Sequence, residues 1–293
     1  MQQYNANLPG VSANPDHAAF TRVELLVVLS VVALMGILLL PTLAATQTKS
    51  SESVCRDNLR QLILAWQLYA GQNQDRLVMN FHGGEAQGGN AGTVAQNAPW
   101  TVGWLDWTLA PDNTNTLFLT QDRYSRLATF LGHSAEVFKC PSDRYLSATQ
   151  RARGWKSRVR SYAVNLVVGG GNAESGPWEP IYRHAIKTSD LLIPGPAQTY
   201  VYAEEHPDSI NDPGLFNPRQ TAWVDQPATY HNGAAAFAFA DGHLELHKWQ
   251  ASLVQPRAAR VKYINALDAR SYAGDPDLHW VSYRANRVSE KSY

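Results

Sequence analysis

The chain has 293 residues with 25 basic and 25 acidic side chains, so its formal net charge is zero. This balance lacks the basic excess that binding to nucleic acid requires, and we expect no nucleic-acid partner. Only 17% of the residues are charged, and the chain contains 20 glycines, 16 prolines and nine tryptophans. That composition is typical of a loop-rich globular protein and excludes a coiled coil or a disordered chain.

The first predicted element is an apolar helix near the N-terminus. Residues 25–40 read LLVVLSVVALMGILLL without a charge, and the apolar run continues through Pro41 to Ala45. As a helix, residues 25–45 would extend ~30 Å, about the hydrocarbon thickness of a bilayer. A polar leader without Lys or Arg, residues 1–19, precedes this run. The pattern predicts a membrane-spanning helix.

Two other interpretations of the apolar run stay open at this point. A buried helix of a soluble domain would carry a polar stripe, and Ser30 alone does not form one. A signal peptide cleaved after Ala45 would need a basic start and a shorter apolar core, and it would have to tolerate Glu24. A carboxylate beside an apolar span is costly unless it is paired. Cleavage before Phe20 would supply that partner, a new α-amino group four residues away.

The residues around Glu24 carry a resemblance to a known family. Residues 19–28, AFTRVELLVV, resemble the prepilin cleavage and methylation motif of type IV pilin-like proteins and type II secretion pseudopilins. The resemblance implies that prepilin peptidase cuts between Ala19 and Phe20 and methylates the new N-terminus. It also implies that Glu24 neutralises the N-terminal amine of a neighbouring subunit during assembly. The sequence departs from the family in having Ala19 in place of the usual Gly and a leader without basic residues.

The same helix is predicted to continue into a globular head. Between residues 50 and 74 the apolar side chains recur at intervals of four and three residues, which is helical spacing. They are Cys55, Leu59, Leu62, Trp66 and Tyr69. This stripe predicts a face that packs against the head, and Gly71 and Asn73 mark the expected end of the helix.

The rest of the chain alternates loops and strands. Residues 82–99 predict a loop, and a short amphipathic helix is expected near 121–132. The predicted strands are 159–168, 199–204, 234–240 and 243–249. The predicted fold is therefore α+β and pilin-like: a long N-terminal helix, half membrane-spanning and half in the head, packed on an antiparallel β-sheet. The expected divisions are a leader at 1–19, a transmembrane and assembly helix at 20–45, and a periplasmic head at 46–293.

A second resemblance lies near the C-terminus. His231 and Asp241-Gly242 are separated by nine residues, which resembles a His-x9-Asp-Gly signature of prepilin-type proteins. Asp-Gly between two alternating apolar runs also predicts a hairpin turn, with Gly242 supplying a positive φ. The signature and a plain hairpin pattern are both consistent with these residues.

The two cysteines fall in segments that also resemble pseudopilins, such as residues 138–143, FKCPSD. If the head lies outside the cytoplasm, Cys55 and Cys140 can be oxidised, and we predict a disulfide between them. It would close a loop of ~85 residues, which the chain-entropy model values at ~4–5 kcal/mol. Two separate buried thiols are the alternative.

Residues 204–212, EEHPDSIND, contain four carboxylates and one asparagine. Hard oxygen ligands at this density suit Ca²⁺, and the resemblance to pseudopilins implies calcium in a head loop. The predicted ligands are Glu205, Asp208, Asn211 and Asp212, and a solvated acidic loop is the alternative. No other cofactor is predicted.

Several catalytic motifs are missing from the sequence, including His-Glu-x-x-His, Gly-x-Ser-x-Gly, a Walker loop and Cys-x-x-Cys. We therefore predict that the protein is not an enzyme; a hydrolase would need a pocket that gathers His231, Asp241 and Asp143. The resemblance implies a structural subunit of a type II secretion pseudopilus or type IV pilus-like filament. It would be a single-pass protein of the bacterial inner membrane with a periplasmic head.

The implied partners are prepilin peptidase, other pilin-like subunits, the inner-membrane secretion machinery and membrane lipid. The alternative function is a membrane-anchored periplasmic ligand-binding module exported by the prepilin route. In that case the tryptophan-rich segment 100–107 would form the ligand platform.

Overall fold

The computed structural model describes residues 21–90, 97–172, 181–218, 222–250, 261–264 and 274–286. Within the first helix, side chains are described at 21–35 and 51–72. The chain divides into two compact units, Met1–Gln47 and Thr48–Tyr293, and each is considered by itself. The predicted leader and the cleavage residues Ala19 and Phe20 lie outside the described residues.

Helix α1 spans Arg22–Gln72 and begins with a reciprocal cap. The Glu24 carboxylate accepts hydrogen bonds from the Thr21 backbone N–H at 2.8 Å and the Thr21 hydroxyl at 2.9 Å. The Glu24 N–H donates to the Thr21 hydroxyl at 3.2 Å in return. Two backbone donors that have no partner inside the helix are satisfied in this way.

The C-terminal part of α1 packs into the larger unit through the predicted stripe. Cys55, Leu59, Leu62 and Trp66 are each no more than 1% exposed, and Tyr69 packs against the same core. Charged residues such as Arg56 and Arg60 occupy the exposed positions between them. The helical stripe and the end of the helix near Gly71 are confirmed.

Within the described ranges, five strands form one sheet in the order β3-β1-β2-β4-β5. They are β1 (Tyr162–Asn165), β2 (Tyr200–Glu204), β3 (Gly214–Leu215), β4 (Ala234–Phe239) and β5 (Leu244–Lys248). The four predicted strands are confirmed as β1, β2, β4 and β5. The two-residue strand β3 was not predicted, because it falls in a stretch rich in Gly and Pro.

Both faces of the sheet are buried, and successive residues of β4 pack alternately into the core on each face. Ala236 and Ala238 belong to the core that includes the α1 stripe. Phe237 and Phe239 belong to a second core on the opposite face. There they share a cluster with Leu278 of a C-terminal helix, Pro276–Arg284, which we label α4 because two shorter helices precede it among the residues that the structure describes. The sheet is therefore covered on each side, as its uninterrupted apolar strands require.

The shorter helices are α2 (Leu117–Thr120) and α3 (Ala148–Ala152). The predicted amphipathic helix near 121–132 is wrong, because that segment forms separate turns. The Ser125 hydroxyl donates to the Trp100 carbonyl at 2.6 Å, and the Thr129 hydroxyl donates to Asp122 at 2.8 Å. Short polar side chains thus compete with regular helical bonding.

Two parts of the predicted fold are wrong. Throughout the described portion of the chain, no helix combines the length and the apolar character needed to cross a membrane. The sheet is also mixed rather than antiparallel, since β3 runs parallel to β1. The physical reason is the connection 205–213, which leaves the end of β2, passes the start of β1 and places β3 on the far side of β1, antiparallel to β2.

Candidate functional site

Four side chains from distant parts of the chain meet between α1 and the sheet. Cys55 comes from α1, Cys140 from the loop after a turn at Glu136–Phe138, Glu204 from the end of β2 and His231 from the start of the β4 hairpin. Their sulfur, oxygen and nitrogen atoms all lie within 4.8 Å of one another. All four residues are at most 3% exposed. We call them the Cys-Glu-His cluster.

Local structure explains why each side chain points to this place. Cys55 lies on the buried stripe of α1, and Glu204 shares the α1 face of the sheet with Tyr202, two residues earlier. His231 is held by a tight turn in which its N–H and its carbonyl both bond to Ala234. Asn232 and Gly233 adopt positive φ values of 52° and 82° in that turn. The cluster is therefore fixed by backbone structure on several sides.

Glu204 is the centre of the hydrogen bonds in the cluster. Its Oε1 accepts from the Cys55 thiol at 2.7 Å and lies 2.9 Å from His231 Nε2, while its Oε2 accepts from the Ala236 N–H at 2.8 Å. The Tyr162 hydroxyl donates to Cys55 Sγ at 3.2 Å. Burial raises the pKa of Cys55 well above its usual value, and a hydrogen bond to Cys140 and the charge of Glu204 raise it further.

His231 is the link between the second cysteine and the carboxylate. Its Nε2 lies 3.7 Å from Cys140 Sγ and 2.9 Å from Glu204 Oε1. Burial by itself would lower the pKa of His231, but hydrogen bonds to Cys140 and Glu204 outweigh it and raise the pKa to about 10. The charged imidazole is therefore stabilised beside the carboxylate.

This arrangement does not match a cysteine nucleophile with a general base. In such a triad one ring nitrogen faces the thiol and the other faces the carboxylate. Here Nε2 of His231 faces both groups, and Nδ1 of the same ring is buried with no hydrogen-bond partner among the residues described. The side chains of His231 and Glu204 are also fully shielded from solvent. Two sulfurs, one imidazole nitrogen and one carboxylate at this separation are donors that could hold a metal ion.

The predicted disulfide is not formed in this structure. Cys55 and Cys140 are both free and buried, with sulfur atoms within 4.8 Å of each other. Besides the hydrogen bond between the two thiols, Cys55 donates to Glu204 and Cys140 contacts His231. The expectation that the two cysteines lie together in the head is consistent with this arrangement.

The His-x9-Asp-Gly segment is a hairpin with contacts to α1 near each end. His231 enters the Cys-Glu-His cluster, and Asp241-Gly242 forms the β4–β5 turn, where Gly242 has a φ of 97°. The carbonyl of Ala240 accepts a hydrogen bond from Gln67 of α1 at 3.0 Å. A Cβ on Gly242 would lie 3.2 Å from the Gln67 amide, so the close approach also favours glycine. The predicted hairpin turn and its positive φ are confirmed.

The residues proposed for a hydrolase pocket do not gather. Asp241 is exposed in the hairpin turn, with its carboxylate 2.6 Å from His243 Nδ1. Asp143 is buried and forms an ion pair with Lys139 at 2.5 Å. His231 belongs to the Cys-Glu-His cluster instead.

The predicted calcium ligands are placed in one connection but have separate partners. Asp208 accepts hydrogen bonds from the backbone N–H groups of Lys262 and Ile264 at 2.6 and 3.1 Å. Asp212 accepts from the N–H groups of Gly83 and Gly214 at 2.9 and 3.0 Å. These carboxylates are buried and organise backbone segments, so the alternative of a solvated acidic loop is wrong for them. Calcium binding stays a prediction.

A buried arginine interacts with two carboxylates of this connection, Glu205 and Asp212. Arg160 is 1% exposed and donates to the carbonyls of Tyr162 and Asn211, each at 3.0 Å. Its positive charge interacts with Glu205 and Asp212. The Asn211 side chain bonds locally, accepting from the Asp212 N–H at 2.6 Å. We call Arg160, Glu205, Asp212 and Asp225 the arginine-acid cluster.

Burial is the largest cause of the pKa shifts in the arginine-acid cluster. The pKa of Arg160 falls to about 10 by desolvation, although the charges of Glu205 and Asp212 oppose the change. Burial and the negative charge of Asp225 raise the pKa of Glu205 well above its usual value. Burial raises the pKa of Asp212 to about 6, against the effect of its two backbone hydrogen bonds.

The tryptophan-rich segment does not form an exposed platform. Trp100 is 0% exposed and stacks on Phe138 with ring centroids 5.8 Å apart. Trp107 is 7% exposed, and the Arg158 guanidinium lies 4.0 Å from its ring centroid. Trp104 is half-buried. These rings pack the head instead of presenting a ligand-binding surface.

Comparison of the chain with family models, with curated proteins and with solved structures finds no match in any of the three. The residues that sequence reasoning missed are Glu204 in its role beside the cysteines, Tyr162 and Arg160. The sequence signals for them are weak, because Glu204 belongs to the acidic segment 204–212 and a buried arginine resembles any surface arginine in sequence.

Proposed function

We propose that this protein is a structural subunit of a bacterial envelope filament, of the type IV pilus-like or type II secretion kind, assembled through the first part of α1. The main support is a run of exposed apolar side chains between Val23 and Met35. Val23 is 70% exposed, Leu26 64% and Val32 61%. The proposal places the unit Thr48–Tyr293 on the periplasmic side and names prepilin peptidase as the processing enzyme.

The distribution of these side chains favours several neighbours over one. The five consecutive residues 25–29 are each between 49% and 64% exposed. Successive residues of an α-helix are ~100° apart, so five of them cover the whole circumference. A single flat partner would cover only one side, whereas helices of several copies can surround it. Burying each such Val or Leu contributes ~1.5–3 kcal/mol, so packing of this kind provides a large driving force.

Glu24 supports the proposal because it gives the apolar run one fixed charge. Backbone and side-chain hydrogen bonds from Thr21 lower the pKa of Glu24, so the carboxylate stays ionised at the start of the helix. An ionised group among packed apolar helices needs a cationic partner. The α-amino group created by cleavage before Phe20, in a neighbouring copy, would provide it.

The first test is the N-terminal sequence of the protein extracted from cells. The proposal requires a mature chain that begins at Phe20. A mature chain that begins after Ala45 would contradict it, because the exposed apolar helix would then be absent from the product.

The second test asks whether the exposed run contacts other copies. We expect Leu29→Cys to give disulfide-linked dimers in cells under mild oxidation. The matched control is Leu192→Cys, since Leu192 is 75% exposed but lies on a loop of the head, while Leu29 is 55% exposed. Equal dimer yields from the two variants, or no dimer from Leu29→Cys, would contradict assembly through α1.

A further inference from the structure

We propose that the Cys-Glu-His cluster is a structural metal site that binds one zinc-class divalent ion through Cys55, Cys140, Glu204 and His231. The proposal does not depend on filament assembly. It rests on the convergence of four ligand side chains that are separated in sequence and meet within 4.8 Å. Among the parts of the chain that the structure describes, this is the one group of its kind.

The chemistry of the donors selects the metal. Two thiolates, one imidazole and one carboxylate give the four ligands of a tetrahedral zinc site. Thiolates are soft ligands that favour Zn²⁺ and related transition metals, whereas Ca²⁺ and Mg²⁺ take oxygen. The site therefore differs from the predicted calcium loop both in its residues and in the ion it accepts.

The separations between the donors are close to those of a tetrahedral site. Zinc bonds of ~2.0–2.3 Å place ligand atoms about 3.4–3.8 Å apart. Cys140 Sγ and His231 Nε2 already lie 3.7 Å apart. Glu204 Oε1 lies closer, 2.7 Å from Cys55 Sγ and 2.9 Å from His231 Nε2, because these pairs are directly hydrogen-bonded. Metal bonds would replace those hydrogen bonds with a movement of about one ångström.

Neighbouring groups hold the donors in orientation. The Tyr162 hydroxyl donates to Cys55 Sγ, and the Ala236 N–H donates to Glu204 Oε2. Both bonds remain compatible with coordination, since they use other lone pairs of the ligands and stabilise negative charge. Four protein ligands in a site closed to solvent describe a structural centre, because a catalytic zinc keeps one position for water or substrate.

An approach route lies beside the cluster. A surface cavity of about 350 Å³ is lined by Val54 and Asn58, which flank Cys55 on α1, and by Lys139 and Pro141, which flank Cys140. Chain neighbours of both cysteines therefore line one cavity, and an ion would have to pass between them to reach the buried thiols. Once bound, it would join α1, the loop at Cys140 and two strands, and it would protect the thiols from oxidation.

The deciding experiment uses the full-length chain, purified in detergent with its thiols reduced and then stripped of metal. Titration with Zn²⁺ should give about one bound ion per chain, and thermal unfolding should shift upward by several degrees. Co²⁺ should give the intense visible absorption of a tetrahedral complex together with thiolate-to-cobalt charge-transfer bands. A reduced wild-type chain that binds neither ion, or a cobalt spectrum without thiolate bands, would overturn the proposal.

Variants locate the ion. Cys140→Ser and His231→Gln should each lower the affinity for Zn²⁺ at least tenfold and change the cobalt spectrum. The matched control is His247→Gln, because His247 forms another buried pair with a carboxylate, 3.2 Å from Asp277, on a different part of the sheet. It should bind Zn²⁺ like the wild type; an equal loss in the control would overturn the assignment. If a cluster variant fails to fold, the wild-type cobalt spectrum still decides, because it counts thiolate ligands directly.

Discussion

Glu204 and Glu205 are adjacent in sequence and both 0% exposed, yet their surroundings differ in every respect that matters for charge. Glu204 faces α1, where two thiols and an imidazole surround it. Glu205 enters the arginine-acid cluster with Arg160 and Asp225, and its Oε2 has no hydrogen-bond partner in the described part of the chain. Adjacent residues of an extended chain point to opposite sides, so one residue step separates two chemical environments.

The comparison teaches how a buried carboxylate is accommodated in this fold. Glu205 relies on a fixed internal cation and on a raised pKa that favours its neutral form. Glu204 is surrounded by groups that can lose protons and bind metal. The first cluster contains a permanent cation in Arg160, whereas the second has a composition that an ion can complete.

The largest effect on stability is expected from removing the internal cation, Arg160. Arg160→Met should destabilise the head by about 3–5 kcal/mol, because Asp212 and its neighbours would be buried without a compensating charge. Urea unfolding at neutral pH measures the loss. The matched control, Arg60→Ala, removes an exposed ion pair with Asp57 and should cost under about 1 kcal/mol. Similar losses of unfolding free energy in both variants would mean that the arginine-acid cluster stabilises the head no more than an exposed ion pair does.

The next largest effect is a dependence of stability on pH. The pKa of Asp212 is about 6 in the folded protein and 3.8 as a reference, so the folded state binds the proton more tightly. Stability therefore falls as pH rises from about 4 to about 6, by about 3 kcal/mol for this group. Arg160 and Glu205 interact electrostatically with Asp212. Glu205, with its raised pKa, acts in the same direction.

Asp212→Asn should remove much of this slope, because an amide does not titrate. The free energy of unfolding, measured by urea at several pH values between 4 and 7, provides the test. A wild-type head that becomes more stable across this interval would contradict the assigned sign.

A smaller effect separates the two glutamates directly. Glu204→Gln should cost about 1–3 kcal/mol in the presence of a chelator, since one amide oxygen cannot accept from Cys55, His231 and Ala236 together. Glu205→Gln should change stability by less than about 1 kcal/mol, because glutamine resembles the protonated acid. Denaturant unfolding of the two variants side by side gives the difference, and the reverse order would contradict it.

The smallest expected effect on stability belongs to an exposed carboxylate. Glu24→Ala should leave the melting temperature of the head unchanged, because the partner of Glu24 among the described residues is Thr21 at the start of α1. The same variant should fail to enter filaments in a cross-linking assay, since the new amine would lose its partner. Normal incorporation would count against the pairing of Glu24 with a neighbouring subunit.

Local patterns in the sequence were sufficient for much of the fold. The 4-3 spacing from Cys55 to Tyr69 gave the buried face of α1, and Asp241-Gly242 gave the hairpin. These features depend on residues close in sequence. Strand β3 has only two residues, which is too short for any periodicity, so the parallel pairing could not be predicted.

The two clusters depend on long-range register, which no local pattern specifies. Cys55, Cys140, Glu204 and His231 lie 85, 64 and 27 residues apart in succession. Which side of β2 faces α1 decides whether Glu204 or Glu205 joins the cysteines. Arg160 was missed for a related reason, because arginine is rarely buried and nothing near it in sequence indicates a carboxylate partner.

The burial of both thiols has a practical consequence for kinetics. Neither Cys55 nor Cys140 is exposed, so an alkylating reagent can react only after the structure opens around it. The labelling rate of each cysteine therefore reports how often the structure opens around that residue in the unmodified protein. If α1 separates from the sheet before the rest of the head unfolds, Cys55 will be labelled ahead of Cys140, and peptide mapping at successive times will record the order.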